Sequence, residues 1–372
     1  MPRFRKAIYT LLTLTLAFSL AEGLLRAAGF RYQRVTTYLQ FNYPRPGFLK
    51  AFFELDPDLL YRIRWTVRQR NVDLTWEPRF QLKIRDSRTF GPKPAGTLRV
   101  LALGDSSTYG VNTPEPWPTR LQHELDRRFP PGRFQVLNLG VPGYTAFQGR
   151  KVLETRAGRL EPDLVVISFG WNDHLLAMGY EDAHQRVGGA AVVRIRNLLS
   201  RSRVYQLLSW CIARARGGAP PGGGKGAPDT RGDGLFAALR RVGPEAFAAD
   251  LTAMVNTARA HGARALLCTY PTALSLLEDL GMAPPDWLVA THAGAGSVAD
   301  VVRLQDRYNR EVREVARRSG VRLVDLEAAF RKTGKALLFD DPGRDMIHPN
   351  DRGYDLITRQ VARALQEEVT RR

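Results

Sequence analysis

The sequence predicts an α/β protein built on a doubly wound, five-stranded parallel sheet, and three observations carry that reading. Five short runs, 98–103, 135–139, 163–169, 264–269 and 321–326, are mainly apolar and stop at turns or polar clusters, as strands buried on both faces do. Segments of helical period lie between them. Strands alternating with helices form a parallel sheet between helical layers. With 372 residues, of which 44% are hydrophobic and 25% charged, the chain has the balance of a globular protein with a sizeable core.

The chain opens with Arg3, Arg5 and Lys6, and residues 7–21 are then uncharged and mostly apolar. A charged stretch ahead of an apolar one is the pattern of an export signal or a signal anchor. Ser19-Leu20-Ala21 offers small residues for cleavage, but apolar character resumes after Glu22 through Gly23-Leu24-Leu25 and Ala27-Ala28-Gly29-Phe30. That gives about the 20 residues needed to cross a bilayer. Residues 1–30 are therefore expected to form an uncleaved, single-pass cell-membrane anchor with the rest of the chain outside the cytoplasm. Cleavage would instead release an exported protein, and a buried or interfacial amphipathic helix is the alternative. Arg26, Arg31 and Arg34 beyond the span blur the charge rule for orientation.

Residues 31–97 are rich in aromatics, arginine and proline. Asp56-Pro57-Asp58 marks a turn, and 61–65 and 80–84 alternate as short strands do. An extended lead-in with a hairpin, laid against the main domain, is expected here. The main domain then runs over 98–370. Its helices are expected at 119–129, where Leu121, Leu125 and Phe129 share a stripe, and at 146–160, 245–261, 301–319 and 350–366. The last follows Pro349, at a helix start where proline fits best. Two insertions, 175–242 and 272–297, interrupt the rhythm near strand ends, where they would shape a cleft. Within the first, 194–215 reads as helical and basic and 217–234 as a mobile loop dense in glycine and proline.

A net charge of +18 favours anionic partners such as a bilayer face, nucleic acid or an acidic polymer. The arginines are scattered and no nucleic-acid motif is present, so the charge reads as a basic solvated surface. Of the two cysteines, Cys211 and Cys268, the second lies in an apolar run and reads as an inert core residue.

Chemistry is concentrated at the strand ends. The first core strand stops at Gly104-Asp105-Ser106, the second at Asn138-Leu139-Gly140-Val141-Pro142-Gly143, the third at Gly170-Trp171-Asn172-Asp173, and Asp345-Met346-Ile347-His348-Pro349 precedes the last helix. Ligands and reactive groups collect at the carboxyl ends of the strands in such sheets. Serine is a weak nucleophile that needs an adjacent base. His348 can take the Ser106 proton, while Asp345, about one turn earlier, holds the imidazole tautomer. A tetrahedral oxyanion needs preorganised donors, and the Ser106 N–H, a glycine N–H at Gly143 and the Asn172 amide suit that task. Gly140 is the competing donor in the second block. Asp105 reads as a hydrogen-bonding partner of its own turn, Asp173 as a loop-orienting group and Trp171 as a packing residue. His123 and His261 read as surface histidines and His174 as a solvated loop histidine.

These four blocks, in this order, resemble those of the SGNH hydrolase superfamily, the GDSL-like lipases and esterases. The motif spacing covers roughly 98–370, and the anchor followed by Phe53-Glu54-Leu55-Asp56-Pro57-Asp58 resembles membrane-anchored bacterial members. The resemblance implies a flavodoxin-like sheet and a catalytic triad of Ser106, Asp345 and His348. It also implies an oxyanion hole of Ser106, Gly143 and Asn172. The first block reads Gly-Asp-Ser-Ser rather than Gly-Asp-Ser-Leu, which loosens any lipase inference. The Gly-x-Ser-x-Gly motif of ordinary α/β-hydrolases is absent. The expected activity is ester hydrolysis through an acyl-enzyme, on an acyl ester of a polysaccharide or lipid, with no cofactor, no metal and no nucleic acid involved. Three alternatives remain in view. One is an O-acyltransferase acting on envelope polysaccharide, and another a non-catalytic carbohydrate-binding envelope protein. The third is a metal-dependent phosphoesterase using Asp105, Asn172, Asp173 and His348, for which too few ligands can be assembled.

Overall fold

A computed structural model describes residues 2–32, 52–177, 180–215, 239–283, 285, 288, 291–292 and 297–370. The chain begins with helix α1, Pro2–Ala27. Its Phe4–Ala27 portion is long and apolar enough to cross a membrane, and none of its most apolar stretch is buried against the protein. The glycine- and proline-rich loop at 217–234 lies outside the described residues.

The lead-in forms two ribbons where the sequence suggested one hairpin. Strands β1, Phe53–Asp56, and β2, Leu60–Ile63, pair antiparallel, with the turn predicted at Pro57 between them. Strands β3, Thr75–Glu77, and β4, Leu82–Ile84, form a second antiparallel pair. Asp56 Oδ1 accepts from the backbone N–H of Asp58 and Leu59, 3.0 Å each, so the Asp-Pro-Asp signal carries its own turn chemistry. Phe53, Tyr61, Leu82 and Ile84 from these ribbons join the core on one face of the main sheet.

That sheet comprises β5, Leu98–Gly104; β6, Phe134–Asn138; β7, Leu164–Ser168; β8, Arg264–Cys268; and β9, Arg322–Val324, in the spatial order β6-β5-β7-β8-β9 with every pair parallel. Each strand lies at a run identified in the sequence. Side chains alternate between the two faces. Leu101, Leu103, Val165, Ile167 and Leu267 enter one core, while Val100, Ala102, Leu164, Val166 and Leu266 enter the other. Burial on both faces is why these runs are continuous in apolar character rather than alternating. The exception is Arg99, fully buried in β5. Its guanidinium donates to the carbonyls of Leu160 and Gly91 and to Gln135 Oε1, so the charge is hydrogen-bonded in place.

The helices that position the site are α2, Ser106–Tyr109; α3, Trp117–Arg128; α4, Ala146–Leu160; α5, Ala190–Leu199; α6, Arg203–Ala215; α7, Pro244–Ala260; α8, Leu274–Asp279; α9, Val298–Ser319; α10, Leu326–Thr333; and α11, Asp351–Thr370. The helical stretch expected over 194–215 is divided between two helices. Ser202 breaks it, because its Oγ accepts from the Tyr205 N–H as an N-cap of α6. The first insertion is closed at its root, where Leu176 bridges Arg240 antiparallel and the Arg241 and Val242 N–H groups donate to Leu175 and Asp173. Helix α11 packs back against α3, with Arg120 bonded to Asp351 and Asp355. The loop ahead of α11 is thereby returned from the β9 edge to a position above β5.

Candidate active site

Ser106 begins α2 at the carboxyl end of β5. In the order β6-β5-β7, the connection from β5 runs to β6 on one side and the next crosses over β5 to β7 on the other, so the end of β5 is the topological switch point of the sheet. Asp105 caps the short helix, its Oδ1 accepting from the Ser107 N–H at 2.9 Å. The corner is crowded. A Cβ on Gly104 would stand 2.0 Å from Thr108 Oγ1 and 2.8 Å from the Ser168 carbonyl, and one on Gly140 would stand 2.3 Å from the Tyr109 nitrogen. Both are distances no side chain tolerates, so glycine is required where the second block passes the serine turn.

A continuous hydrogen-bond chain runs from Asp345 through His348 to Ser106. His348 Nε2 lies 2.8 Å from Ser106 Oγ, and His348 Nδ1 lies 2.8 Å from Asp345 Oδ2. Asp345 Oδ1 also accepts from the Ile347 and His348 N–H groups, so one carboxylate fixes both the loop and the ring. Asn112 Nδ2 donates to Asp345 Oδ2 at 2.6 Å. Burial alone would raise the Asp345 pKa, but the hydrogen bond and charge of His348 and the two amides outweigh it and hold it down at about 2.

The remaining predicted residues surround the serine. The backbone N–H groups of Ser106 and Gly143 donate to no acceptor among the described residues. Gly143 has φ +82°, a left-handed conformation suited to glycine. The Gly140 N–H, by contrast, donates to Asn138 Oδ1 at 3.0 Å. Asn172 Nδ2 donates both to Asp105 Oδ2 and to the Tyr144 carbonyl, 3.0 Å each. Both of its amide hydrogens are thereby engaged. Asp105 is fully buried and accepts a further bond from the Tyr270 hydroxyl at 3.2 Å. Burial pushes its pKa up to about 6, against the lowering effect of the Ser107 amide and the charge of His348.

Several positions behave as read from sequence. Asp173 accepts from the Ala146 and Gly170 N–H groups and so orients its loop. Trp171 and Cys268 are buried in the core, and His123 and His261 are exposed. His174 is a correction. It is fully buried, with Nδ1 3.0 Å from His292 Nε2 and Nε2 2.8 Å from Gln305 Oε1, while Trp171 and Tyr308 pack on its ring. A partner 118 residues away leaves no local signal. The four ligand types named for a phosphoesterase do not share one focus. Asp173 turns to backbone amides, Asp105 to Asn172, and His348 to Ser106 and Asp345.

Two arginines were not singled out in the sequence. Buried Arg85, just after β4, donates to the carbonyls of Tyr109, Gly110 and Thr113 and stacks on the Tyr109 ring. Buried Arg241, from the root of the first insertion, donates to the Gly143 carbonyl at 2.8 Å and pairs with Asp182, whose Oδ2 also accepts from Thr145 Oγ1. One arginine therefore fixes the loop after Ser106 and the other fixes the Gly143 turn.

Comparison with known proteins adds the following. Residues 102–356 match the GDSL-like lipase/acylhydrolase family. No curated protein matches the sequence. Among solved structures, the chain is similar to an alpha/beta hydrolase enzyme from the metagenome of Lake Arreo, Spain, at 20% identity with a TM-score of 0.44, covering 74% of this chain and 97% of that one. It is also similar to an acetylxylan esterase from Geobacillus stearothermophilus, at 16% identity with a TM-score of 0.43, covering 73% and 95%. A third is a GDSL-like lipase from Bacteroides thetaiotaomicron, at 14% identity with a TM-score of 0.40, covering 73% and 88%.

Proposed function

This chain belongs to the GDSL-like lipase/acylhydrolase family and is an ester-hydrolysing enzyme, and on that footing we propose that Ser106 is its nucleophile and that it works through an acyl-enzyme. The observation that carries the reading is the unbroken Asp345–His348–Ser106 hydrogen-bond chain, assembled from loops 242 positions apart.

Ser106 Oγ attacks the carbonyl carbon of the ester as its proton passes to His348 Nε2. Asp345, held as a carboxylate, keeps the Nδ1 hydrogen in place and stabilises the imidazolium. The carbonyl electrons move onto oxygen, where the N–H groups of Ser106 and Gly143 receive the developing charge. Asn172 joins as third donor by turning one amide hydrogen from the Tyr144 carbonyl to the oxyanion, with Asp105 keeping the other. The intermediate collapses, the C–O bond to the alcohol breaks, and His348 returns its proton to the departing oxygen. Water, giving a proton to His348, then attacks the acyl carbon; the bond to Ser106 Oγ breaks, His348 returns the proton to that oxygen, and the carboxylic acid leaves. A sugar hydroxyl in place of water would make the same site an acyltransferase. The substrate is an acyl ester of a polysaccharide or lipid close to the membrane, because α1 anchors the chain there with the enzyme domain outside the cytoplasm.

The test is direct. Wild-type protein is expected to be labelled by a fluorophosphonate probe and to hydrolyse a short-chain nitrophenyl ester. Ser106→Ala and His348→Ala should each lower kcat by about 10³-fold or more with an unchanged circular dichroism spectrum. Full turnover in both variants would overturn the assignment.

A further inference from the structure

We propose that helices α5 and α6 of the first insertion form a second membrane contact, lying in the headgroup region of an anionic bilayer beside the point where α1 leaves it. The inference rests on the anchoring reading of α1.

Three observations carry it. Most of the large apolar residues of these helices point outward, Val193 of α5 being the one buried in the core. On α5, Val192, Ile195, Leu198 and Leu199 are 51%, 56%, 62% and 41% exposed, while the polar Asn197 turns inward and pairs with the backbone of Leu55. On α6, Leu208, Trp210 and Ile212 are exposed, while Gln206 is buried. A helix of a water-soluble domain places these faces the other way round. An apolar outward face bordered by arginine, with a tryptophan, is the composition of a helix that lies in the bilayer interface.

The second observation is continuity. Glu22, in the last turns of the Phe4–Ala27 span, accepts from Ser202 Oγ and from the N–H groups of Arg203 and Val204, at 2.9, 2.7 and 3.1 Å. Arg26 donates to the Arg201 carbonyl at 3.3 Å. The start of α6 is therefore fixed to the end of α1, at the depth where a spanning helix emerges. The third is charge. Arg194, Arg201 and Arg214 are exposed around this face. Arg201 and Arg214 stack on Trp65 and Trp210, with guanidinium carbons 5.8 and 5.6 Å from the ring centroids. Arginine over tryptophan suits a surface of anionic headgroups above acyl chains.

Cys211 supplies the test, since it is exposed on α6 while the other cysteine is buried. The full chain, labelled at Cys211 with a polarity-sensitive NBD fluorophore, is reconstituted into vesicles of phosphatidylcholine and phosphatidylglycerol. A parallel sample carries the label at Leu14→Cys in a Cys211→Ser background, and Leu208→Cys in the same background repeats the α6 measurement. Retained ester hydrolysis checks the fold of each. The α6 labels are expected to lose most of their emission to lipids spin-labelled near the headgroup and little to aqueous iodide. If the Leu14 label is quenched by lipid while both α6 labels are quenched only by iodide, the second contact is overturned and the anchor stands. If the Leu14 label is also reached only by iodide, the anchor fails and this inference with it. Protection of the α6 labels from iodide without lipid quenching would mean that a second protein chain covers the face, and would also overturn it.

Discussion

At the scale of single residues, the active-site corner contains two carboxylates whose environments act in opposite senses. Asp345 is held at about 2 by His348 and backbone amides, below its ordinary 3.8, so its contribution to stability is complete above that value and is lost as the pH falls toward 2. Asp105 is raised by burial to about 6. Between 3.8 and 6 the unfolded chain has given up that proton and the folded chain has kept it. Stability from Asp105 is therefore present at low pH and declines as the pH rises through this window. Asp250, also raised to about 6 by burial, adds to the same slope. Replacing Asp105 by Asn removes one titrating group, and the loss of stability between the lower and upper ends of the window should shrink by on the order of 3 kcal/mol. Urea unfolding followed by tryptophan fluorescence at closely spaced pH values measures this. The same substitution leaves one acceptor oxygen; if it stays with the Ser107 amide and the Tyr270 hydroxyl, an N–H₂ faces Asn172 Nδ2, where an acceptor stood 3.0 Å away. Two donors then face each other, Asn172 loses its orientation, and kcat should fall by about 10²-fold, the usual cost of one oxyanion donor. An unchanged kcat would separate Asp105 from the chemistry and leave it a cap of α2.

At the scale of elements, what was legible in the sequence and what was not divide by range. The β5 strand and its Gly-Asp-Ser end are local: an apolar run, a turn and a capping aspartate all fall within ten residues. The Asp345–His348 pair is three residues apart and read equally well. The choice between Gly140 and Gly143 as a candidate donor stayed open in the sequence because it turns on which N–H is already bonded, and that follows from the Asn138 side chain in the folded turn. The break in the predicted 194–215 helix was visible in principle, since Ser202 is a good N-cap, but Glu22, which accepts a hydrogen bond from its hydroxyl, lies 180 residues away. Arg85 was not legible at all. It stands in an arginine-rich lead-in, and only the fold shows that it holds the carbonyls of Tyr109, Gly110 and Thr113 together. Hydrogen bonds from a buried charged donor are worth about 1.5–3 kcal/mol each. Arg85→Ala should therefore destabilise the protein by roughly 3 kcal/mol or more and lower kcat by releasing the loop that carries Asn112 to Asp345. Arg85→Lys should fail to rescue either effect, because one ammonium cannot reproduce a planar fork across three carbonyls. Thermal melts beside steady-state kinetics on both variants would check this, and a lysine variant with wild-type kcat would refute the stapling role.

At the scale of the whole molecule, the site depends on a chain that leaves β5 and returns to it. Ser106 sits at the first corner of the sheet, and His348 arrives on the loop before α11 only because α11 folds back beside α3. The insertion between β7 and β8 is tied into this frame at two points. Arg241 at its root holds the Gly143 turn, and α6 at its far end is bound to Glu22 of α1. Helix α1, the two described ends of the insertion and the Gly143 turn are thus linked by hydrogen bonds. Glu22 is the weakest link in that connection, since a single carboxylate oxygen receives the Ser202 hydroxyl and two backbone amides. Glu22→Gln leaves an acceptor oxygen but removes the charge that the start of α6 faces, and Glu22→Ala removes both. In bilayer-reconstituted protein, amide hydrogen exchange at Arg203 and Val204 should speed by about tenfold or more in Glu22→Ala, with a smaller increase in Glu22→Gln. Exchange in β5 should stay unchanged, because the parallel sheet has its own core on both faces. If the α6 amides exchanged at the wild-type rate in Glu22→Ala, the Glu22 contact would not be what holds the start of α6 in place.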